Sequence, residues 1–580
     1  MPSDRAFYSE EVDAASQVLS RPDVLIVGAG PSGLLLACEL VRHGLSVRVI
    51  DQGQGPSQWS KAQVLQTRTL ELLEFMGILD QFRERGRPMH ALSLYDREMA
   101  RIFHIGVGEL GSTYPFMLSL PQRDIEFLLL MHLTRMGVEV EYQRSLLDLT
   151  QNERGVSARV QRLGSDEHDV IDAAWLVGCD GAHSAVRSAL GLCFCASVYQ
   201  QQVIQADVRI DWPLQHPEDE VLGLVSEHGY LGAFPLGEQR YRLMAFNTGK
   251  APTLQNFQLL MAACGPEGAQ VSDPSWMIEF HVDCRMVSKF RVGRVFLAGD
   301  AAHIHSPASG QGMNIGMQDA YNLAWKLALF HKGLGRDVFL DSYQAERAPA
   351  SAALLARLSA ASEHPDELLP FHDPMSQVMR NHLLQFIAEI GVVERKVSRN
   401  LSLLDAGYRA SPVIQQDPAM HDAAEQHAGR PSWLRDHPEY HGGPMPGERA
   451  FDGPVLHVGG KQASRLFQLI GGPQHLLLLF AGSVETAAGY GRLVEIGERV
   501  YDLYQRQVLV YLVQVDPHPV EPPLQLWQGP MLFDRDGALH SIYDAGGDCL
   551  YLIRPDGYIS YRSQPAELQN LEEYLRRVFR

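Results

Sequence analysis

At 580 residues, with 45% hydrophobic and 21% charged residues, the chain is too long for one core and has the make-up of two or three globular domains. A formal net charge of −19 excludes a nucleic-acid binder built on clustered Lys and Arg, and no apolar run is long enough for a membrane span. Seven cysteines, an odd total without a Cys-x-x-Cys pair, suggest neither a disulfide framework nor a zinc site.

Residues 1–21 read as a polar N-terminal arm: Asp4, Glu10, Glu11 and Asp13 leave no apolar stretch for a signal peptide, and a reduced, cytoplasmic protein is expected. The first folded unit reads strand, turn, helix, strand. Residues 24–27 are apolar and β-branched, residues 28–33 are glycine-rich, residues 34–43 are helical up to Gly44, and residues 47–50 are a second strand ending at Asp51. Helices are expected over 69–76 and 124–135, each stopped by glycine, and strands over 138–142 and 175–177.

Gly28-x-Gly30-Pro31-Ser32-Gly33 therefore sits between a strand and a helix, as a dinucleotide-binding turn requires. The first glycine permits the tight turn, the second lets backbone approach a pyrophosphate, and the third permits close helix–strand packing. The helix N-terminus adds partial positive charge. Asp51, followed by Gln52, ends the second strand, where a carboxylate accepts from ribose hydroxyls. The pattern implies a dinucleotide without saying which.

From 203 to 280 alternating runs at 205–210, 230–234 and 241–246 predict an antiparallel sheet facing a cavity. Residues 295–298 read as a buried strand and 315–330 as a helix. Residues 412–454, rich in Pro, Gly, His and Asp, mark an irregular crossing. Strands at 476–480, 509–515 and 550–554, a turn at Pro555-Asp556-Gly557, a strand at 558–562 and a helix at 565–577 predict a small α/β domain.

Two longer stretches make the chain resemble the group A flavin-dependent aromatic hydroxylases. One runs Gly178-Cys179-Asp180-Gly181-Ala182-His183-Ser184-Ala185-Val186-Arg187. The other is Gly299-Asp300-Ala301-Ala302-His303, continuing through Pro307 to Gly310-Gln311-Gly312-Met313-Asn314, then Gln318-Asp319-Ala320, Asn322-Leu323 and Trp325-Lys326-Leu327. Tyr343-Gln344-Ala345-Glu346-Arg347 also fits. Within the family the chain is similar to the phenol hydroxylase and pentachlorophenol monooxygenase branch, through Ser60-Lys61-Ala62, Phe234-Pro235 and Arg554-Pro555-Asp556-Gly557-Tyr558.

The resemblance implies an α/β fold: a Rossmann-type FAD-binding domain over 22–200 and 293–360, with an antiparallel substrate sheet over 201–292 interleaved. A linker over 361–445 and a thioredoxin-like domain over 446–580 follow, redox-inert for want of Cys-x-x-Cys. FAD is the implied cofactor and NADH or NADPH the co-substrate. Asp180 and Gly181 serve both, and Asp300 accepts from the ribityl chain. Gly310, Gly312, Met313 and Asn314 carry backbone past the flavin, whose anionic reduced edge a helix N-terminus favours. Arg68 and Gln122 fall where the family contacts FAD, and Lys61 stands where it often has Arg.

The implied activity is hydroxylation of a small phenolic substrate with O2 through a flavin C4a-hydroperoxide, Pro307 and Gly310 lying in the flavin-side loop. Gln63 replaces the acidic residue that phenol hydroxylases place near substrate, and no side-chain base is identified. Gln63, Tyr230, Phe234 and Pro235 are the expected substrate contacts, while Arg242, His228 and His303 read as wall or structural residues. The same chemistry on a polyketide-like ring, epoxidation or oxidative dehalogenation, and a flavin reductase or electron-transfer protein without hydroxylation remain the alternatives. Homodimers are common in the family.

Overall fold

The computed structural model describes the chain from residue 21 onward, except for 58–61, 108–110, 195–199, 213–217, 227–228, 247, 284, 306–309, 364–397, 400–401, 418–442, 459–463, 483–486 and 517–526. Residues 1–20 of the polar arm, Lys61, His228, Pro307 and most of 361–445 lie outside the described residues.

The first layer is a six-stranded sheet. Strands Val24–Val27, Val47–Ile50, Val140–Glu141, Trp175–Gly178 and Val295–Leu297 run parallel, and Arg291–Val292 closes the edge in the opposite sense. Val24–Val27 is buried throughout and central, with neighbours on both sides, which is why it reads as an unbroken apolar run. Helix Pro31–Arg42 packs against helices Gln122–Arg135 and Gly312–His331. All three begin earlier than periodicity alone predicts. Pro31, at the first helical position, costs nothing there because that amide has no intrahelical partner.

The approach of Pro31–Arg42 to Gly312–His331 depends on absent side chains. A Cβ on Gly316 would lie 2.5 Å from Ser32 Oγ, and one on Gly299 2.8 Å from the same atom. A Cβ on Gly33 would collide with the Gly28 carbonyl, and Gly28 itself has φ +106°. The glycine turn is thus required by close packing as well as by conformation.

The second layer is a seven-stranded sheet in the order Gln270–Asp283, Gln200–Asp211, Arg240–Phe246, Gly229–Gly237, Glu220–Ser226, Ala91–Tyr95, Arg101–Gly106. The alternating runs appear as expected, but the last two strands come from residues 91–106, inside the stretch assigned by sequence to the first domain. Ala91–Tyr95 joins in parallel to Glu220–Ser226. One face packs Ile204, Ala206, Val208 and Leu243 against helix Leu254–Cys264. The opposite face turns Val203, Phe234, Met244 and Phe280 toward the first layer.

The third layer is a mixed seven-stranded sheet built around His475–Phe480, Val508–Asp516 and Cys549–Ile553. Helices Ala487–Tyr504 and Leu568–Val578 contribute Leu493, Ile496, Leu571 and Leu575 to its core. That core also takes Trp325 and Phe339 from the first part of the chain, so the C-terminal unit shares its apolar interior with the flavin-side helices.

Candidate active site

A cavity of about 820 Å³ lies between the first two layers. At one end it is bordered by Gly30, Pro31 and Ser32, and further along by Gln122, Asp180, Gly181 and Asp300. Past Gly310, Gly312 and Met313 it ends against Gln63, Val64, Phe234, Met244, Phe280 and Ile304. Two helices start at its wall, Pro31–Arg42 and Gly312–His331, and neither has a side-chain cap on its first turn. Such helix starts leave backbone amides for an anion or an electron-rich ring edge.

The cavity fits an extended dinucleotide. No atom lies within 4 Å of a Cβ built on Gly30 or Gly181, so both turns leave open space where a ligand's backbone would pass. Asp51 holds the first turn in shape, its carboxylate accepting from Ala29 N at 2.7 Å and Gly53 N at 2.6 Å. Asp180 accepts from Ser184 Oγ at 2.5 Å and Val186 N at 3.1 Å, and burial raises its pKa above the ordinary carboxylate range. Gln122 accepts from Ala62 N at 3.2 Å and donates to Glu126, which pins residue 62 beside the cavity.

One expected contact is placed differently. Arg68 does not reach the cavity: it is 1% exposed, donates to Glu71 Oε2 at 2.7 Å, and donates to the carbonyl of Asp556. Its fork is spent on Glu71 and on the C-terminal turn, so it is not available to a pyrophosphate. The Asn314 side chain is equally committed, donating to Val64 O and Gly310 O and accepting from Gln66 N. It ties the helix start to the cavity-side strand Val64–Leu65, leaving only its backbone for a ligand.

Of the substrate candidates, Gln63 and Phe234 line the cavity. Pro235 contributes its carbonyl, which accepts from Ser119 Oγ at 2.7 Å and Gln63 Nε2 at 3.3 Å. Tyr230 stands farther along the same strand, stacked on Phe246 and 37% exposed. Gly28, Gly33 and Asp51 shape the turn behind the cavity, while Gln52 borders it.

Arg242, read from sequence as a wall or structural residue, borders the cavity, but the groups that hold it there were missed. Arg242 is 1% exposed and forms a bidentate pair with Asp207 at 2.7 and 2.8 Å. Trp276 Nε1 donates to the same carboxylate at 2.8 Å, and Arg242 also donates to Ala62 O. His305, inside the long motif between Gly299 and Gly310, also lines the cavity. Strand alternation was the available signal for the first group, since Asp207, Val203 and Gln205 share one face. His303 is structural, as expected: its Nε2 lies 2.5 Å from Asp319 Oδ2.

Residues 21–358 match the family model described as an FAD binding domain. The chain belongs to this FAD-binding family, the group A flavin aromatic hydroxylases. It is 35% identical over 554 residues to 6-methylpretetramide 4-monooxygenase of Streptomyces rimosus, covering 94% of this chain and 91% of the relative. It is 29% identical to pentachlorophenol 4-monooxygenase of Sphingobium chlorophenolicum, covering 93% of each. The anhydrotetracycline hydroxylase OxyS from Streptomyces rimosus superposes with a TM-score of 0.69 at 26% identity, over 96% of this chain and 99% of that one. This hydroxylase is thus an FAD-dependent enzyme of mixed α/β fold, similar to those relatives over nearly its whole length. No helix among its described residues is long and apolar enough to cross a membrane.

Proposed function

We propose that the enzyme uses NAD(P)H and O2 to hydroxylate a phenolic ring held against the apolar face of the seven-stranded sheet. The observation that carries this reading is one continuous cavity, with uncapped helix starts and glycine turns at one end and an apolar wall at the other. Bound FAD supplies the chemistry, accepting a hydride equivalent and activating oxygen.

In this reading Gly30, Pro31 and Ser32 border the pyrophosphate, Asp300 takes the ribityl hydroxyls, and the first amides of Gly312–His331 meet the flavin ring. Asp51 and Asp180 hold the turns that Gln52 and Gly181 present. Phe234, Met244 and Phe280 exclude water from the reacting ring, which strengthens the remaining polar contacts. Domain limits of 22–200 with 293–360, 201–292 and 446–580 are proposed on the same footing. The last is taken as a thioredoxin-like unit whose one cysteine, Cys549, is buried.

A second reading differs only in substrate: a fused-ring polyketide in place of a single phenol. It is favoured by the 35% identity to a monooxygenase named for a pretetramide. The deciding experiment follows oxygen uptake and NAD(P)H consumption with simple phenols and with fused-ring phenols, identifying products by mass. Substrate-stimulated consumption with a product heavier by one oxygen supports hydroxylation. Consumption indifferent to every ring, with peroxide as the sole product, refutes it.

A further inference from the structure

Three arginines line the cavity, Arg187, Arg242 and Arg285, and the first two hold other groups of the protein. Arg242 is paired with Asp207 and Ala62 O, and Arg187 donates to Ala182 O at 2.7 Å and Ala301 O at 3.1 Å. Two buried neutral groups are in the opposite condition. His305 is 7% exposed, and neither of its ring nitrogens has a hydrogen-bond partner among the described residues. Gln63 is 5% exposed and its Oε1 is likewise without a donor.

The Gln63 amide cannot simply be reversed to remedy this. Its nitrogen donates to the Pro235 carbonyl at 3.3 Å and to Ser119 Oγ at 2.8 Å, while Ser119 donates to that same carbonyl at 2.7 Å. A carbonyl only accepts, so the NH2 end is fixed and Oε1 is the end left over. His305 packs 4.8 Å from His303, centroid to centroid, and burial, reinforced by His303, holds its pKa well below the ordinary histidine range. The ring therefore offers one donor and one acceptor and carries no charge. A half-turn about Cβ–Cγ exchanges its nitrogen and carbon edges within the same outline. Buried polar atoms left unmet cost stability, and a ligand that meets them recovers it.

We propose that His305 is a substrate-binding residue, gripping a hydroxyl on a neutral aromatic ring while Gln63 Oε1 accepts from a second hydroxyl. The inference rests on the reading of this cavity as the place of a phenolic ring beside FAD. It narrows the substrate class. A hydroxyl both donates and accepts, matching the imidazole, and a hydroxyl hydrogen meets the amide oxygen. A carboxylate brings no hydrogen for the amide oxygen, and the neutral imidazole offers it a single donor and no charge.

The test uses the flavin-loaded chain and three probes: a dihydroxyanthraquinone, its dimethoxy analogue, and an anthraquinone carboxylate. Binding is measured by calorimetry and by perturbation of the visible flavin spectrum. The unmodified chain binds the dihydroxy probe most tightly. His305→Phe weakens that probe about tenfold and leaves the dimethoxy probe unchanged, and His305→Asn restores part of the loss. Retained flavin reports that the variant is folded, and if His305→Phe sheds its flavin, His305→Leu is judged by the same criterion.

Equal loss for both probes, no loss for either, tighter binding of the carboxylate, or no binding of the dihydroxy probe overturns the proposal. Failure of the hydroxylase reading looks different: the dihydroxy probe binds through His305, yet NAD(P)H oxidation yields peroxide without oxygenated product.

Discussion

Arg554 closes on Glu346, a residue 208 positions earlier, through two hydrogen bonds of 2.7 and 2.9 Å, and both side chains are fully buried. Glu346 also receives Lys326 at 2.6 Å, Ser411 Oγ at 2.6 Å and the Asn322 amide at 2.7 Å. Lys326, Asn322 and Glu346 all belong to the stretches that resemble the flavin hydroxylases, yet none borders the cavity. Their work is to bind the flavin-side helices to the C-terminal turn 554–557. Nearby, Arg68 and Arg449 share Glu71, and Arg68 reaches the Asp556 carbonyl.

Removing one partner of such a pair strands a buried charge. Arg554→Met is expected to destabilise the chain by about 3–5 kcal/mol, measured as a lowered urea midpoint with an unchanged slope. Truncation before residue 446 removes Arg554 and Asp556 together and exposes Trp325 and Phe339. It is therefore expected to abolish stable flavin binding. A truncated chain that stays folded and yellow would show that the interlock is dispensable.

The contrast explains what was legible in the sequence. Strands 24–27 and 175–178 and the glycine turn were readable because burial on both faces and a positive φ restrict residue choice locally. The stretch from Asp319 to Arg347 was recognisable but its purpose was not. Charged residues at helical spacing look alike whether they meet a cofactor or one another. Arg68 shows the same limit, since its partner Asp556 is 488 positions away. Strands 91–95 and 101–106 were missed for a related reason: their place in the second sheet is set by pairing with 220–226.

Asp319 stands between His303 and Arg347, with Oδ1 2.6 Å from Arg347 Nε and Oδ2 accepting from Gly299 N at 3.1 Å. Burial raises its pKa, but the facing His303 and Arg347 outweigh that and bring it down to about 2 from 3.8. A carboxyl whose folded pKa is depressed contributes stability that is present above the unfolded value and is lost as pH falls through the folded one. Between pH 4 and pH 2, about 2 kcal/mol of stability should therefore disappear on this account alone. Asp319→Asn should start less stable at neutral pH and lose less over that window, as followed by denaturant unfolding at several pH values. An identical acid limb in both proteins would contradict the assignment.

Ser32 and Gly316 set how closely the two cavity-side helices approach. Gly316→Ala places a methyl 2.5 Å from Ser32 Oγ and 3.1 Å from Gly299 Cα, so the helices must part or the serine must turn. A loss of about 1–3 kcal/mol is expected. Flavin content of the purified protein should fall with it, and Ser32→Gly in the same chain should recover part of both losses.

Asp300→Ala tests the neighbouring contact, Asp300 being exposed at the cavity wall. Loss of a hydrogen bond to a charged acceptor predicts flavin held roughly ten- to hundredfold more weakly, at about 1.5–3 kcal/mol. A variant as yellow as the parent after dialysis would remove Asp300 from the cofactor site.

Glu126 provides a pH dependence of opposite sign. It is 3% exposed, accepts from Gln122 Nε2 at 2.8 Å and Ser57 N at 3.3 Å, and burial, with Asp51 adding repulsion, raises its pKa to about 7 from 4.5. A raised folded pKa means that the native chain binds the proton more tightly than the unfolded chain. The associated stability is full below the unfolded value and lost as pH rises through the folded one. Roughly 3 kcal/mol should drain away between pH 5 and pH 8. Glu126→Gln keeps an amide in the same place and cannot ionise, so its stability should stay level over that interval and exceed the parent's at pH 8. Because Gln122 leans on Glu126 and borders the cavity, flavin affinity of the parent should weaken over the same window while that of the variant does not. Parallel stability curves for the two proteins would mean that Glu126 does not take up its proton in that range.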